Sequence, residues 1–166
     1  EGVAPVTGEW QTYTFKLSDL AGAGLDVSAI DVLMIFPAWG AGEGAVYRVD
    51  NVKIYNPNAA PVASGELNVF TDTVADQWSI WDCCGGSTPT TETDDDQHGA
   101  VAQFSIGATP TVMGFLADED VSFDASALLE NGVVQFDLKV ITAPSNVDAQ
   151  WLFKIESIGA SSAVEL

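Results

Sequence analysis

Positive charge is scarce in this sequence. Only five of its 166 residues are Lys or Arg, against 24 Asp or Glu, and the formal net charge is −19. A field of this sign repels phosphate backbones and anionic membranes, which argues against nucleic acid or a membrane as a partner. Cations and neutral molecules are therefore the ligands that the charge of the chain permits. The acidity suits an extracellular protein from salty surroundings, and simple solubility explains it equally well.

Long apolar runs are also missing. No predominantly apolar stretch reaches the roughly 20 residues that a membrane-spanning helix needs, and no segment has the layout of a signal peptide. No stretch shows a convincing amphipathic helical period. A chain of this length suffices for one β-sandwich with a hydrophobic core and is short for two.

Cysteine is limited to the adjacent pair Cys83 and Cys84. One pair cannot supply a four-cysteine zinc site, and no other cysteine exists for either residue to bridge. Cys83 and Cys84 are therefore either two free thiols or a disulfide between neighbours. An oxidising compartment favours the disulfide, and we expect a secreted, extracellular protein.

The only histidine, His98, lies in the acidic stretch 93–99. No Ser or Cys nucleophile stands in a recognisable catalytic turn. With 24 acidic residues, the presence of two carboxylates is uninformative about glycosidase chemistry. The sequence therefore favours a protein that is not an enzyme.

Alternating strands dominate the chain. Segments with a period of two, rich in β-branched and aromatic residues, are separated by loops of Gly, Pro, Asn, Asp and Ser. The pattern predicts strands over 10–15, 32–36, 46–49, 101–106, 133–140 and 150–155. It favours an all-β fold, a two-sheet antiparallel β-sandwich.

A polar stretch with two prolines, residues 56–65, is typical of a linker. It divides the chain unequally. The segment 1–55 is too small for a sandwich core of its own, and the segment 66–166 ends on a strand-like run with no closing turn. Neither segment has the pattern of a complete domain.

Two sets of motifs carry a resemblance to a known family. Residues 7–15 and 46–54 resemble the closing half of the β-jelly-roll, galactose-binding-like modules of carbohydrate-binding families 4 and 22. The motifs at 70–72, 78–81 and 96–99 resemble the opening half. Modules of this kind are appended to marine bacterial family 16 laminarinases and to other polysaccharide-degrading enzymes.

The two halves stand in reversed order. The chain is thus either a window cut from tandem repeats or a circular permutant. In both cases the resemblance implies that 1–55 (C-terminal half) and 66–166 (N-terminal half) form one domain. The halves complement each other within one chain or are exchanged between chains in a domain-swapped oligomer.

The resemblance also implies a structural calcium ion. Calcium prefers oxygen ligands from separate segments. The matching positions are Asp72 with the Phe70 carbonyl, Asp96 with a carbonyl near His98 or Gly99, and Asp50, which matches the aspartate that opens the last strand of such modules. The alternative is a solvated acidic turn. The neighbouring Asp94 and Asp95 are expected to face water.

Sugar binding needs flat aromatic platforms, and the five tryptophans differ in context. Trp81 and Trp39 are each expected to lie in a glycine-rich loop, where binding residues concentrate, and are the predicted platforms. Trp10, Trp78 and Trp151 lie in strand patterns and are expected in the core.

Sugar hydroxyls need polar partners. The predicted ones are Asp82, Arg48, Gln135, Lys154 and Glu156. Gln135, Lys154 and Glu156 are expected to share one polar strand face, either an outer solvated surface or the floor of a groove.

Three functions fit this sequence. The first is a non-catalytic module that binds a neutral polysaccharide, above all a β-1,3-glucan such as laminarin, and brings an attached glycoside hydrolase to its substrate. The second is a calcium-dependent adhesion or structural repeat. The third is a fragment of a lyase or hydrolase. The loop tryptophans favour the first.

Overall fold

The structure, a computed structural model, describes residues 3–59, 65–158 and 160–166. This part of the chain is almost entirely strand, with one short helix, α1 (Leu17–Gly22), and one 3-10 turn (Ser126–Leu128). No helix in it is long and apolar enough to cross a membrane. The strands are β1 (Trp10–Lys16), β2 (Ile30–Pro37), β3 (Val46–Tyr55), β4 (Leu67–Thr71), β5 (Thr73–Val74), β6 (Trp78–Asp82), β7 (Ser87–Asp95), β8 (Gly99–Ile106), β9 (Met113–Ala117), β10 (Val133–Thr142), β11 (Trp151–Ser157) and β12 (Ala160–Glu165).

The strands form two antiparallel sheets. In the seven-stranded sheet β10 lies between β1 and β3, and β3 pairs with β8 along its first half and with β4 along its second; β7 and β5 extend these two branches. The five-stranded sheet has the order β12-β11-β2-β9-β6. The expected two-sheet antiparallel β-sandwich is confirmed, and a strand matches each of the six segments that the sequence pattern indicated, although β11 begins at Trp151, one residue after the predicted start at 150.

Strands from the two sides of the segment 56–65 are interleaved in both sheets. β10 pairs with β1 and β3, and β2 lies between β11 and β9. One hydrophobic cluster contains buried side chains from 1–55 and from 66–166. Residues 60–64, half of the expected linker, lie outside the described residues.

Stacked aromatic rings fill the space between the sheets. Phe136 on β10 is fully buried, and its ring stacks on Tyr13 and Phe15 of β1 with centroids 5.4 and 6.1 Å apart. Across the sandwich it meets Phe153 of β11 at 5.3 Å. Offset rings at such distances attract each other beyond the effect of area burial. This stack joins both sheets and both segments.

Local features depart from the sequence pattern. Helix α1 was not expected, because two buried leucines, Leu17 and Leu20, are too few to establish a helical period. Strand β7 is polar and contains Pro89, and the stretch 93–99 was expected to be a loop. β7 pairs only with β8, and an edge strand of this kind tolerates proline and exposed Thr residues.

The burial of the tryptophans agrees only in part with the expectation from the sequence. Trp78 and Trp151 are buried, as the strand pattern indicated. Trp10 was expected in the core, but it lies half-buried on the outer face of the seven-stranded sheet, opposite Lys139 in the register. Because Tyr13 and Phe15 already fill the inward positions of β1, alternation directs Trp10 outward.

Phe136→Ala tests whether the aromatic stack serves the whole sandwich. We expect one cooperative unfolding transition and a loss of about 3–5 kcal/mol in the free energy of unfolding, as for other buried Phe truncations. Val147, which is 89% exposed, supplies the control: Val147→Ala should change stability by less than about 0.5 kcal/mol. Urea unfolding measures both. Two separate transitions, with only one shifted, would contradict a shared core.

Candidate functional site

The outer face of the five-stranded sheet carries Trp81 and Lys154 in one cross-strand row. Trp81 pairs with Gly114, Gly114 with Met34, and Met34 with Lys154. Residues directly opposite each other in antiparallel strands lie on the same face. Since Gly114 has no side chain, the surface of the sheet has a depression between the side chains of Trp81 and Met34. A Cβ at Gly114 would collide with the backbone of β2, so this close strand approach requires glycine.

Apolar side chains floor this face. Val32, Met34 and Phe36 alternate with the inward Leu33 and Ile35 along β2, but they are themselves buried. The accessible apolar surface of this face is therefore supplied by half-buried side chains that pack on the hydrophobic cluster, namely Trp81 and an apolar floor of Leu116 and Leu152. An apolar surface flanked by half-exposed polar groups is typical of a ligand site.

Lys154 and Glu156 form the polar side of this face. Their Nζ and Oε1 atoms lie 2.5 Å apart, and each side chain is about one third exposed, at 33 and 34%. An exposed pair of this kind adds little to stability. The Lys154 ammonium and the Glu156 carboxylate can therefore turn to a ligand hydroxyl with little loss in the free energy of unfolding.

Trp39 stands just beyond the end of β2. Its side chain is 60% exposed, in the turn that follows Pro37. The next turn residue, Gly40, lies near Pro110, where a Cβ would be 3.9 Å from the proline ring. The Trp39 turn thus rests against the segment 107–112.

The loop after β6 rests against the same segment. Cys83 N donates to Val112 O at 3.1 Å, and Gly107 N donates to Gly86 O at 2.8 Å. Gly86 approaches Thr109 and Thr111 so closely that no Cβ would fit. Segment 107–112 therefore brings the Trp39 turn and the loop after Trp81 to one end of the sandwich. Trp81 itself was expected in the glycine-rich loop, but it lies in strand β6, paired with Gly114 of β9.

Asp82 organises this loop. Its carboxylate accepts hydrogen bonds from Cys84 N and Ser87 N at 2.8 Å and from Thr111 Oγ1 at 2.9 Å, and further ones from Gly85 N and the Ser87 hydroxyl. Burial acts to raise the pKa of Asp82, but these hydrogen bonds outweigh burial and lower it. Asp82, a predicted sugar ligand, has its acceptor sites filled by the protein and positions the loop.

Cys83 and Cys84 form a disulfide between neighbours. This agrees with the second of the two states that the sequence left open. Cys84 is exposed and Cys83 is half-buried, so the bridge reaches the surface at the end of the sandwich that also carries Trp39.

Arg48 and Gln135 lie on the opposite side of the molecule. Both point outward from the seven-stranded sheet, whereas Lys154 and Glu156 point outward from the five-stranded sheet. Lys154 and Glu156 were expected to share one face with Gln135, but Gln135 lies on β10 and the other two lie on β11, and these strands belong to different sheets. A ligand bound on the Trp81 face therefore cannot reach Arg48 or Gln135. Gln135 also accepts from Tyr55 Oη at 2.8 Å.

Asp95 is the centre of a polar network on that opposite side. It was expected to face water, but it is buried, and it accepts hydrogen bonds from Arg48 Nη1 at 2.9 Å, Trp10 Nε1 at 3.2 Å and Gln97 N at 3.1 Å. Burial acts to raise the pKa of Asp95, but the hydrogen bonds and the charge of Lys139 outweigh burial and lower it to about 2. The neighbouring Asp94 is exposed, as expected.

His98 lies in the same network. Its ring stacks on Trp10 with centroids 3.9 Å apart, and Nδ1 lies 2.8 Å from Asp50 Oδ2. Asn51, with a positive φ of 51°, donates to Asp137 at 2.8 Å beside it. This cluster was not anticipated, because its members come from β1, β3, β10 and the β7–β8 turn.

The predicted calcium ligands approach the same turn. Asp50 contacts His98, and Asp72 Oδ1 accepts from Ala100 N at 3.3 Å, next to Gly99. Asp96 is exposed in the turn, and the Phe70 side chain is fully buried on β4. Asp50 Oδ1 is buried without a hydrogen-bond partner, which suits a cation ligand. Among the described residues, however, no three His, Cys, Asp or Glu side chains form a group that could hold a metal.

Comparison of the chain with protein-family models, curated proteins and solved structures finds no match.

Asp95 makes the acid stability of the fold testable. Its folded-state pKa lies below the ordinary 3.8, so its stabilisation is complete above about pH 4 and is lost as the pH falls through about 2. Asp95→Asn should therefore cost about 2 kcal/mol at neutral pH, and the difference from the parent should shrink toward pH 2. Urea unfolding at pH 7, 4 and 2 measures it.

The exposed neighbour supplies the control for this experiment. Asp94→Asn should stay within about 0.5 kcal/mol of the parent at every pH. A constant difference between the parent and Asp95→Asn across the pH range would contradict the assignment.

Proposed function

We propose that this protein is a non-catalytic, secreted carbohydrate-binding module that binds a neutral polysaccharide, a β-1,3-glucan such as laminarin, on the outer face of the five-stranded sheet. The observation that carries the proposal is the single row from Trp81 across Gly114 and Met34 to Lys154. In the setting that the family resemblance implies, the module brings an attached glycoside hydrolase to its substrate.

The chemistry of this face suits a sugar. A pyranose ring has apolar C–H faces that pack on indoles, and equatorial hydroxyls that need donors and acceptors. Trp81 and the apolar floor offer the first, and the Lys154–Glu156 pair offers the second. Three strand spacings separate Trp81 from Lys154, roughly 14 Å, which accommodates an oligosaccharide lying across the strands.

Electrostatics favours a neutral glycan. The formal charge of −19 opposes the approach of polyanions such as alginate, since like charges cost association free energy. Lys154 on this face is paired with Glu156, so it leaves no free positive charge to offset the field. A neutral β-glucan meets no such barrier.

Trp81→Ala and Lys154→Ala test the binding face. Loss of a stacking ring should weaken binding of laminarihexaose by roughly ten- to a hundredfold, and loss of the lysine should weaken it less. Tyr55→Ala is the matched control, because it removes a half-buried aromatic ring from the opposite face and should leave the affinity unchanged. Isothermal titration measures affinity, and thermal melting verifies that each variant is folded.

The outcomes separate the candidate functions. If Tyr55→Ala weakens binding and Trp81→Ala does not, the glycan lies on the seven-stranded sheet. If the parent binds no glycan on an array but responds to calcium, it is an adhesion or structural repeat. Release of reducing ends from laminarin would instead identify a catalytic fragment.

The proposal includes a structural calcium ion near the β7–β8 turn. Asp50 Oδ1 supports it, because a buried acceptor without a partner is costly unless a cation or donor satisfies it. Asp72, beside Gly99 and Ala100, offers a second carboxylate in the same region. An ion there would stabilise the native state by mass action.

The calcium proposal predicts a rise in melting temperature. Calcium at 100 times its dissociation constant should add about 2.7 kcal/mol, equivalent to roughly 5–10 °C for a chain of this size. Asp50→Asn should abolish most of that gain, whereas Asp94→Asn should retain it. Differential scanning calorimetry with calcium or a chelator measures the effect. A melting temperature that the chelator leaves unmoved would refute the site.

A further inference from the structure

The Cys83–Cys84 disulfide occupies an unusual position for a structural bridge. It joins neighbouring residues, so it ties no distant parts of the chain together and closes no long loop. It follows Trp81 by two residues, and Cys84 is exposed. Long-range stabilisation therefore does not account for it.

The protein holds this bridge in a fixed position. Asp82 accepts from the backbone N–H of Cys84 and from Thr111, while Cys83 N donates to Val112 O. Gly86 packs against segment 107–112 without room for a side chain. A surface fixed before the ligand arrives loses little conformational entropy on binding.

The bridge is also chemically suited to contact a sugar. An oxidised pair has no S–H donor, and its sulfurs are soft and polarisable, so it presents a small apolar surface beside the main-chain polar groups. The Trp39 turn reaches the same end of the sandwich through Pro110. The disulfide and the Trp39 turn thus lie at the same end of the sandwich as Trp81 and the candidate binding face.

Building on the proposed function, we propose that the Cys83–Cys84 disulfide is itself a glycan-contacting surface and that its reduction weakens binding at the Trp81 face. A dithiol reductant transfers two electrons and two protons, breaks the S–S bond, and leaves as a cyclic disulfide. The products are two thiols whose side chains rotate independently. Affinity falls because the fixed apolar surface is lost and the two side chains must be ordered again on binding.

Titration with laminarihexaose before and after dithiothreitol tests this proposal. Reduction should weaken binding about tenfold, and the Cys83→Ser/Cys84→Ser variant should match the reduced parent. The melting temperature should change little, because the Asp82 hydrogen bonds and the aromatic core remain. The chain has no other cysteine, so dithiothreitol should not affect the double variant.

Each alternative result has one meaning. Equal affinity of the oxidised and reduced parent overturns the role of the disulfide and leaves the glycan-binding face intact. A loss that dithiothreitol also causes in the double variant overturns it too, because the effect would not come from this bridge. A parent that binds no laminarihexaose overturns both the disulfide assignment and the proposed function.

Discussion

Strand pairing between distant parts of the chain is the constraint on which the other features depend. β10 is held between β1 and β3, and the rings of Phe136, Phe15 and Phe153 stack in the space that this pairing creates. Tyr47 adds a buried link between the sheets, because its hydroxyl donates to the Ile35 carbonyl at 2.5 Å. This pairing also determines which residues lie on each outer face, because side chains along a strand alternate between the inward and the outward side.

The carboxylates of Asp82 and Asp95 are stabilised within the fold even though the chain is strongly negative. A chain with 24 acidic residues repels itself in the compact state, yet Asp82 and Asp95 are drawn into the structure and satisfied by several donors each. Asp82 shapes the loop beside Trp81, and Asp95 fastens the β7–β8 turn to β1 and β3 of the same seven-stranded sheet. Hydrogen bonds to the charged form lower both pKa values, so these carboxylates keep their charge and act as organising centres.

The two outer faces have different characters. On the seven-stranded sheet, Arg48, His98 and Lys139 are engaged by the carboxylates of Asp95 and Asp50 or by neighbouring groups, so that face is a closed polar network. On the five-stranded sheet, an apolar floor lies between an indole and a half-exposed ion pair. Polar groups already satisfied within the protein gain little from a ligand, whereas a partly exposed apolar surface gains from being covered.

The sequence by itself determined the fold class, the core positions of Trp78 and Trp151, and the exposure of Trp39, because alternation and glycine-rich turns are local signals. It could not determine which sheet each strand joins. Gln135 and Lys154 have equivalent alternating patterns, and only the pairing of β10 with β3 and of β11 with β2 separates their faces. The outward position of Trp10 follows from its alternation with Tyr13 and Phe15, a local signal that the expectation overlooked. Asp95 was misjudged for the same reason as Gln135 and Lys154, because its donor Trp10 lies 85 residues away along the chain. The tertiary structure decided these positions, because burial and hydrogen bonding between distant segments depend on the sheet order, which no local pattern records.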